Sequence, residues 1–352
     1  MANRLTTLLM GTGWLLASMS TASAGAILAN PKPITLASGF GDITVSGQLT
    51  GLAYAQSNAS HTQPGDASAS LDLSNALITV QKSSGFLQFY VQAGLYSFPT
   101  VGQPYENSSS QNSLLGPVPV AYAKLQFTDA LSLEAGKLPT LIGSELGFTP
   151  QNITIERGLL WWQEPIVSRG LQLNYASGPL SVSLSWNDGY YSNIFNSFSG
   201  LLSYAIDASN TFAVDASITP DTRTSLGHQI YNAMYTYSHG KWNIGPYLQY
   251  ERYARASGSD VGLGLLASYQ LTQQWSLNGR AEYETSGNGM ALSYGPRSKA
   301  WSLTFTPTWQ QGIFFARAEL SYVGLGHQSA GFGPALTQAS QVRALFETGI
   351  VF

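Results

Sequence analysis

The sequence predicts an all-β protein that spans a membrane as an antiparallel up-and-down β-barrel of about 16 strands. Three observations support this fold. Only 10% of the 352 residues are charged, whereas soluble domains average about 25%. Beyond residue 24, no segment provides the roughly 20 apolar residues that a membrane-spanning helix needs. Segments of alternating apolar and polar residues recur instead, and a sheet in lipid must close on itself so that no strand edge stays unpaired.

Residues 1–24 are predicted to form a cleaved signal peptide. Met1 to Arg4 is a short basic stretch, residues 5–19 are mostly apolar, and Ala22-Ser23-Ala24 is a small-residue cleavage site. An N-terminal anchor helix is the alternative, but Thr, Ser and Gly interrupt the apolar run. Residues 25–352 are then predicted to be the barrel.

The alternating segments each have about the length that crosses a bilayer on a tilt. They span 42–55, 69–82, 86–96, 118–128, 130–138, 167–176, 179–190, 199–209, 211–218, 227–239, 241–253, 261–271, 274–285, 299–309, 312–323 and 340–352. Short connections alternate with long ones, as periplasmic turns and extracellular loops do in such barrels. A soluble β-sandwich is the alternative, but it would need neither this low charge nor this loop asymmetry.

The last alternating segment ends in an aromatic residue, Phe352. Its apolar face holds Val342, Ala344, Phe346, Ile350 and Phe352, and its polar face holds Gln341, Arg343 and Glu347. Such a strand resembles the last strand of bacterial outer-membrane barrels, which the barrel insertion machinery reads. The resemblance implies an outer-membrane location and makes Phe352 a candidate insertion signal.

Charged residues within the strands are predicted to face the lumen, because Arg or Lys facing mid-membrane lipid costs about 2–4 kcal/mol. The predicted pore-lining residues are Lys124, Glu134, Asp207, Asp215, Glu251, Arg280, Glu282, Glu284, Arg317, Glu319, Arg343 and Glu347. Acidic residues outnumber basic ones in this set, and a negative lumen concentrates cations. The sequence therefore predicts a weak cation preference.

Aromatic residues near the strand ends are predicted to form girdles at the two membrane interfaces. Those beside short connections are Trp242, Trp275, Phe86 and Phe352, and those toward long connections are Tyr190, Tyr191, Tyr253 and Tyr283.

The middle of the chain resembles a known family. The segments that carry the resemblance are Gly136 to Glu145, Pro150-Gln151-Asn152, Glu156 to Leu160 and Ser168 to Tyr175. They are similar to the putative β-barrel porin-2 (OmpL-like) family, although Leu138 stands where Phe is frequent in that family. The motif covers about 40 residues and is moderately specific. It implies an outer-membrane porin or porin-like protein and says little about the solute.

The longest connection, 139–166, is predicted to fold into the lumen. It carries apolar residues that need burial, among them Ile153, Ile155 and Leu159 to Trp162. The candidate constriction residues are Glu145, Glu156, Arg157 and Glu164, with Glu156 and Arg157 expected to face the pore. Residues 139–166 are the third long connection along the chain. In general porins, the third extracellular loop holds a similar position and folds into the lumen. The alternatives are a loop packed over the mouth, or an outer hairpin with its tryptophans at the lipid interface.

Signals for chemistry beyond a pore are weak. The chain has no cysteine, its four histidines lack metal-ligand spacing, and its net charge of −3 does not favour a nucleic-acid partner. No catalytic, cofactor-binding or metal-binding residue is predicted. The nearest candidate for a hydrolase at the barrel rim is His228 with Ser225 or Asp221.

The predicted function is therefore that of a porin, a passive diffusion channel for small hydrophilic solutes, and not of an enzyme. The expected partners are outer-membrane lipid, the barrel insertion machinery and the solutes, with a homo-oligomer possible and nucleic acid not expected. A structural or adhesion barrel with a loop-blocked lumen is the main alternative, and a rim hydrolase is a weaker one.

Overall fold

A computed structural model describes residues 31–62, 65–222, 225–253, 258–287 and 294–352. The predicted signal peptide lies outside these residues. The barrel strands are β2 (Ile43–Gln56), β3 (Ala69–Lys82), β4 (Leu87–Tyr96), β5 (Val120–Gln126), β6 (Leu131–Pro139), β7 (Val167–Ser177), β8 (Leu180–Asn187), β9 (Ser197–Ala205), β10 (Asn210–Ile218), β13 (His228–His239), β14 (Trp242–Tyr253), β15 (Gly258–Gln270), β16 (Trp275–Ser286), β17 (Lys299–Gln311), β18 (Phe314–Gly326) and β19 (Ser340–Val351).

Smaller elements lie between these strands or precede them. They are β1 (Ile34–Leu36), helix α1 (Ser108–Leu115), the 3₁₀ turns Thr149–Gln151 and Trp161–Gln163, and a hairpin of β11 (Asp221–Thr222) and β12 (Ser225–Leu226). Strand β1 pairs with the start of β2. Among the described residues, no helix is long and apolar enough to cross a membrane.

The sheet closes into a 16-strand antiparallel barrel, as the sequence predicted. Each barrel strand pairs with its neighbours in the chain, and β19 closes the ring on β2, from Arg343 opposite Gln56 to Val351 opposite Gln48. Predicted and observed strand ends differ by a few residues. The largest difference is in the segment predicted at 199–209, which ends as a strand at Ala205.

Side chains alternate along each strand between a buried polar face and an exposed apolar face. On β19, Phe346 is 48% exposed, whereas the neighbouring Glu347 is 0% exposed. On β15, Leu263 and Leu265 are exposed and Leu266 is buried. Because a soluble sheet would bury its leucines and phenylalanines, this inverted pattern is that of a barrel with lipid outside and polar groups inside.

The last residue, Phe352, completes the ring beside Gly47 of β2. Phe352 N donates to Gly47 O at 3.0 Å, and Gly47 N donates to Phe352 O at 2.8 Å. A Cβ at Gly47 would lie only 2.6 Å from the Phe352 ring, so the glycine leaves the space that the ring covers. The backbone pairs join the two strands here, and on the outward face the Phe352 ring covers the glycine.

The predicted aromatic girdles are correct in part. Trp242 and Trp275 are exposed beside short turns. Tyr190 and Tyr253 turn into the mouth instead: the Tyr190 hydroxyl donates to Gln163 O at 2.7 Å, and the Tyr253 ring lies 4.4 Å from that of His228. Tyr253 points inward because alternate residues of a strand share a face, and Glu251, two positions earlier on β14, also points inward.

Candidate functional site

The connection between β6 and β7, residues 140–166, folds into the barrel and crosses its lumen. Leu160 packs into an apolar cluster with Ile230 on β13, whereas Ile155 packs into another with Leu345 on β19. These strands lie on different sides of the ring. On β15, a Cβ at Gly262 would lie 2.1 Å from Leu160 Cδ2, so the glycine makes room for the crossing segment.

The aromatic part of this segment packs against a third side of the wall. Trp161 is buried in a cluster with Phe98, Tyr96 and Val120, of which Tyr96 ends β4 and Val120 begins β5. The centroids of Trp161 and Phe98 are 5.9 Å apart. Trp161 therefore lies inside the barrel and not at the lipid interface.

Wall carboxylates hold the crossing segment by accepting its backbone N–H groups. Glu319 on β18 accepts from Ile155 N at 2.5 Å and from Glu156 N at 2.9 Å. Glu282 on β16 accepts from Leu159 N at 2.9 Å. Hydrogen bonds to a charged acceptor are roughly twice as strong as neutral ones, so these residues fix the height of the segment in the lumen.

Two wall guanidiniums donate to carbonyl oxygens of the same segment. Arg317 on β18 donates to Thr149 O at 2.7 Å and to Asn152 O at 2.9 Å, while its Nε donates to Glu347 at 2.7 Å. Arg280 on β16 donates to Glu156 O at 2.6 Å. The segment is thus tied to the wall through its backbone as well as its side chains.

Arg343 on β19 is the third wall arginine, after Arg317 and Arg280, that binds the crossing segment. Its guanidinium forms an ion pair with Glu156 of the crossing segment. It also donates to Gln56 Oε1 at 2.9 Å and to the Gln103 carbonyl at 2.8 Å. Arg343 therefore joins the wall, the crossing segment and the segment that follows β4.

The four candidate constriction residues are all buried, which corrects the expectation that Glu156 and Arg157 face open space. Both are 0% exposed. Glu156 accepts a hydrogen bond from Ser321 at 2.5 Å besides its pairing with Arg343. The Arg157 guanidinium lies 5.5 Å from the Trp161 ring centroid. The wall offers Glu156 complementary groups, whereas Arg157 Nε and Nη1 are buried with no hydrogen-bond partner in the described part of the chain.

The other two candidates, Glu145 and Glu164, differ in their partners. Glu145 Oε1 lies 2.7 Å from Arg280 Nη1, and its Oε2 accepts from Gly158 N at 2.7 Å. Both carboxylate oxygens of Glu164 are buried without a hydrogen-bond partner in the described part of the chain. Burial, with Asp215 nearby, raises the pKa of Glu164 well above its ordinary value.

On the wall from β5 to β8, inward polar groups pair with one another. Lys124 Nζ lies 3.9 Å from Glu134 Oε1. Gln172 donates to Glu134 at 3.3 Å and to Asn174 at 2.8 Å, and Ser183 donates to Asn174 at 2.7 Å. This side of the lumen is a continuous polar surface, in contrast to the side from β15 to β19, where the wall binds the crossing segment.

Eleven of the predicted lumen residues are buried on inward strand faces: Lys124, Glu134, Asp215, Glu251, Arg280, Glu282, Glu284, Arg317, Glu319, Arg343 and Glu347. Asp207 is the exception and does not face the lumen. It lies in the exposed turn after β9 and accepts a hydrogen bond from Ser209 N at 2.8 Å. The segment 199–209 is predicted as one strand, but β9 ends at Ala205. Alternation therefore does not apply to Asp207, which lies in the turn.

The sequence does not predict the buried Asp260 at the mouth, and it offers the buried His228 only as a candidate for a rim hydrolase. Asp260 directly precedes the predicted segment 261–271. It lies two positions before Gly262, so continuing the alternation by one residue places it on the same inward face. His228 Nε2 lies 2.5 Å from Glu251 Oε1. The side chains of Ser225 and Asp221, the candidate partners of His228 in a rim hydrolase, lie outside the described residues.

Solved structures of outer-membrane proteins share this fold. OmpT of Vibrio cholerae is 10% identical with a TM-score of 0.61, covering 91% of this chain and 100% of that one. The anion-selective porin from Comamonas acidovorans is 12% identical with a TM-score of 0.61, covering 88% and 99%. The outer-membrane channel DcaP of Acinetobacter baumannii is 8% identical with a TM-score of 0.60, covering 90% and 99%. At these identities the likeness concerns the fold.

Comparison with curated proteins gives no match. The family model described as "Putative beta-barrel porin-2, OmpL-like" matches residues 42–352, which include all of the barrel strands. The closed barrel, its polar interior and the segment that crosses it are those of a porin-like protein. The chain belongs to the putative beta-barrel porin-2, OmpL-like family.

Proposed function

We propose that the protein is a passive diffusion channel for small hydrophilic solutes in the outer membrane. The observation that supports this most is the closed ring of 16 strands with a charged inward face. Side chains of the wall alone fill barrels of about 8 strands, whereas barrels of 16 strands leave an aqueous channel. A crossing segment is therefore what determines how much of the lumen stays open.

The path is narrowest at the level of residues 140–166. The segment binds the wall from β15 to β19 through Arg280, Arg317 and Glu319. On the wall from β5 to β8, by contrast, inward groups such as Glu134 and Gln172 pair with one another. Below the level at which Trp161 packs against the starts of β5 and β7, solutes therefore pass along the β5–β8 side.

The channel prefers cations weakly. Without Asp207, the predicted lumen residues still include more acidic than basic side chains. Asp260, which is also buried on an inward face, increases the number of acidic ones. The crossing segment adds Glu145 and Glu156 against Arg157. A negative lumen raises the local concentration of cations. The anion selectivity of the Comamonas acidovorans porin belongs to that protein.

A structural barrel with a blocked lumen is the second candidate, and the burial of charges in the lumen favours it. Glu156, Arg157 and Glu347 are each 0% exposed. Water in a wide pore would reach such groups, so the crossing segment excludes water where they lie.

Conductance of the refolded full chain in planar bilayers distinguishes the two candidates. Discrete single-channel steps in KCl support the diffusion channel, and a reversal potential in a salt gradient that favours K⁺ supports the cation preference. Folded, inserted protein that carries no current would support the blocked barrel. A reversal potential that favours Cl⁻ would refute the selectivity and leave the channel in place.

The remaining parts of the proposal concern assembly. Residues 1–24 act as a cleaved signal peptide, the insertion machinery reads the last strand with Phe352, and the exposed apolar face contacts outer-membrane lipid. A homo-oligomer is proposed by analogy, since a trimer form is described for Vibrio cholerae OmpT. Mass spectrometry of the mature protein from outer membranes tests the cleavage, because retention of residues 1–24 would contradict it.

A further inference from the structure

A cavity of about 330 Å³ opens at the mouth of the barrel, at the end that carries the long connections. Its walls come from the connections β2–β3, β4–β5 and β18–β19, from Tyr294 and from Trp162 of the crossing segment. We propose that this vestibule binds small primary ammonium compounds with a short aliphatic part. The proposal rests on the channel function, which it deepens by naming a class of solute held at the entrance.

Aromatic rings form the apolar part of the vestibule. Phe98, Tyr294 and Phe332 are buried around it, and Trp162 is 49% exposed. The centroids of Tyr294 and Phe332 are 5.6 Å apart in an edge-on arrangement. Aromatic faces contact aliphatic carbon and attract cations, and tryptophan does so most strongly. The rings therefore favour an organic cation over a hydrated metal ion.

The charged groups of the vestibule are acidic. Asp66 and Glu106 line it, and among the described lining residues none is Lys, Arg or His. Asp66 already accepts from Gln56 at 2.7 Å and from the Ser60 hydroxyl at 2.6 Å, so its role is structural. Arg343 lies beneath the vestibule, where Glu156 pairs with it. Anions are therefore disfavoured, and Glu106 is the carboxylate available to a ligand.

An unpaired acceptor beside Glu106 indicates that the ligand carries N–H donors. Gln111 on α1 uses its amide nitrogen to donate to Glu106 Oε2. Its amide oxygen, Oε1, is buried and has no hydrogen-bond partner in the described part of the chain. A primary ammonium carries three donors, enough to reach this oxygen and the Glu106 carboxylate together. A quaternary ammonium has none, and an alcohol brings one donor without the charge.

Ligand-observed NMR on the refolded full chain in detergent micelles at pH 7 tests the proposal. The probes are propylamine hydrochloride, propan-1-ol, sodium propionate and tetramethylammonium chloride, titrated separately. We expect saturable binding of propylammonium, about tenfold tighter than that of any other probe, since a charge-assisted hydrogen bond is lost in each of the others.

Variants locate the site. Glu106→Gln and Gln111→Leu should each weaken propylammonium binding about tenfold, and Trp162→Leu about threefold through loss of the ring face. Asp207→Asn removes a carboxylate from a short turn at the opposite end and should bind as wild type does. Folding of each variant is verified by its heat-dependent electrophoretic mobility.

Several results would overturn the proposal. They are absence of saturable propylammonium binding, equal binding of propan-1-ol or propionate, and wild-type affinity in both folded Glu106→Gln and folded Trp162→Leu. Binding in micelles does not require conduction. A protein that binds propylammonium without conducting would keep the site and lose the channel, whereas one that conducts without binding would lose only the site.

Discussion

Arg280 on β16 and Glu145 in the crossing segment form an ion pair closed off from water. The guanidinium Nη1 lies 2.7 Å from Oε1, and neither side chain is more than 1% exposed. The two residues are 135 positions apart in the chain. The same guanidinium lies 3.1 Å from Glu282 of its own strand. One arginine thus holds two carboxylates and connects the wall to the segment that narrows the lumen.

Replacing Arg280 with Met should destabilise the protein strongly, because two buried carboxylates lose their counter-charge. Removing one partner of a buried ion pair costs about 3–5 kcal/mol. We expect the free energy of unfolding, measured by denaturant titration in micelles, to fall by about that amount. Arg252→Met is the matched control, since Arg252 is exposed at the end of β14 and should change the free energy by less than about 0.5 kcal/mol. Equal effects in the two variants would refute the anchoring role.

Two neighbouring positions on β7 test the inward and outward faces. Leu171 is 42% exposed on the apolar face, whereas Gln172 is buried and donates to Glu134. Leu171→Arg should cost about 2–4 kcal/mol and impair insertion into lipid vesicles. Gln172→Arg places the same charge beside Glu134 and should insert as wild type does. If Gln172→Arg fails to insert and Leu171→Arg inserts normally, the faces are assigned the wrong way round.

Glu164 should make the closed position of the crossing segment sensitive to pH. Its pKa is raised by burial, so the buried side chain keeps its proton when a solvated glutamate, with a pKa of about 4.3, has lost it. The proton stabilises the buried position, and this contribution declines as the pH rises above about 4.3. Proteolysis within residues 140–166 should therefore become faster between pH 5 and pH 8.

Glu164→Gln provides the control for this pH dependence. The amide has nearly the same shape and no charge to bury, so proteolysis should depend much less on pH in the variant. The cleavage rate at each pH is corrected with an unstructured peptide of the same cleavage sequence. A variant with the full pH dependence of wild type would place the titrating group elsewhere.

The last residue should matter more for insertion in cells than for folding in detergent. Phe352→Ala uncovers Gly47 on the outward face, but it leaves the backbone pairs between the two residues in place. We expect a lower yield in the outer membrane and nearly normal refolding in micelles. Phe346→Ala, on the same face of β19, should refold similarly and retain its yield. Equal yields for the two variants would contradict a special role for Phe352.

Alternation made the wall predictable from the sequence. Period 2 places Arg317 and Glu319 on one face of β18 and Leu320 on the other, and the structure has them so. The same rule failed for Asp207, because alternation does not reveal where a strand ends.

The crossing segment, residues 140–166, has no regular alternation of apolar and polar residues from which its contacts could be predicted. The partner of Glu156 is Arg343, 187 positions away, and only the tertiary structure shows that the pair is buried.

The most direct test of the central claim is the single-channel conductance of a variant that lacks residues 150–162. These residues include Ile155 and Trp161, which pack against the wall, and Glu156, which binds Arg343. Their removal leaves every barrel strand intact. The account predicts a folded, inserted barrel with a conductance clearly above that of wild type. Unchanged conductance in a correctly inserted deletion variant would contradict it.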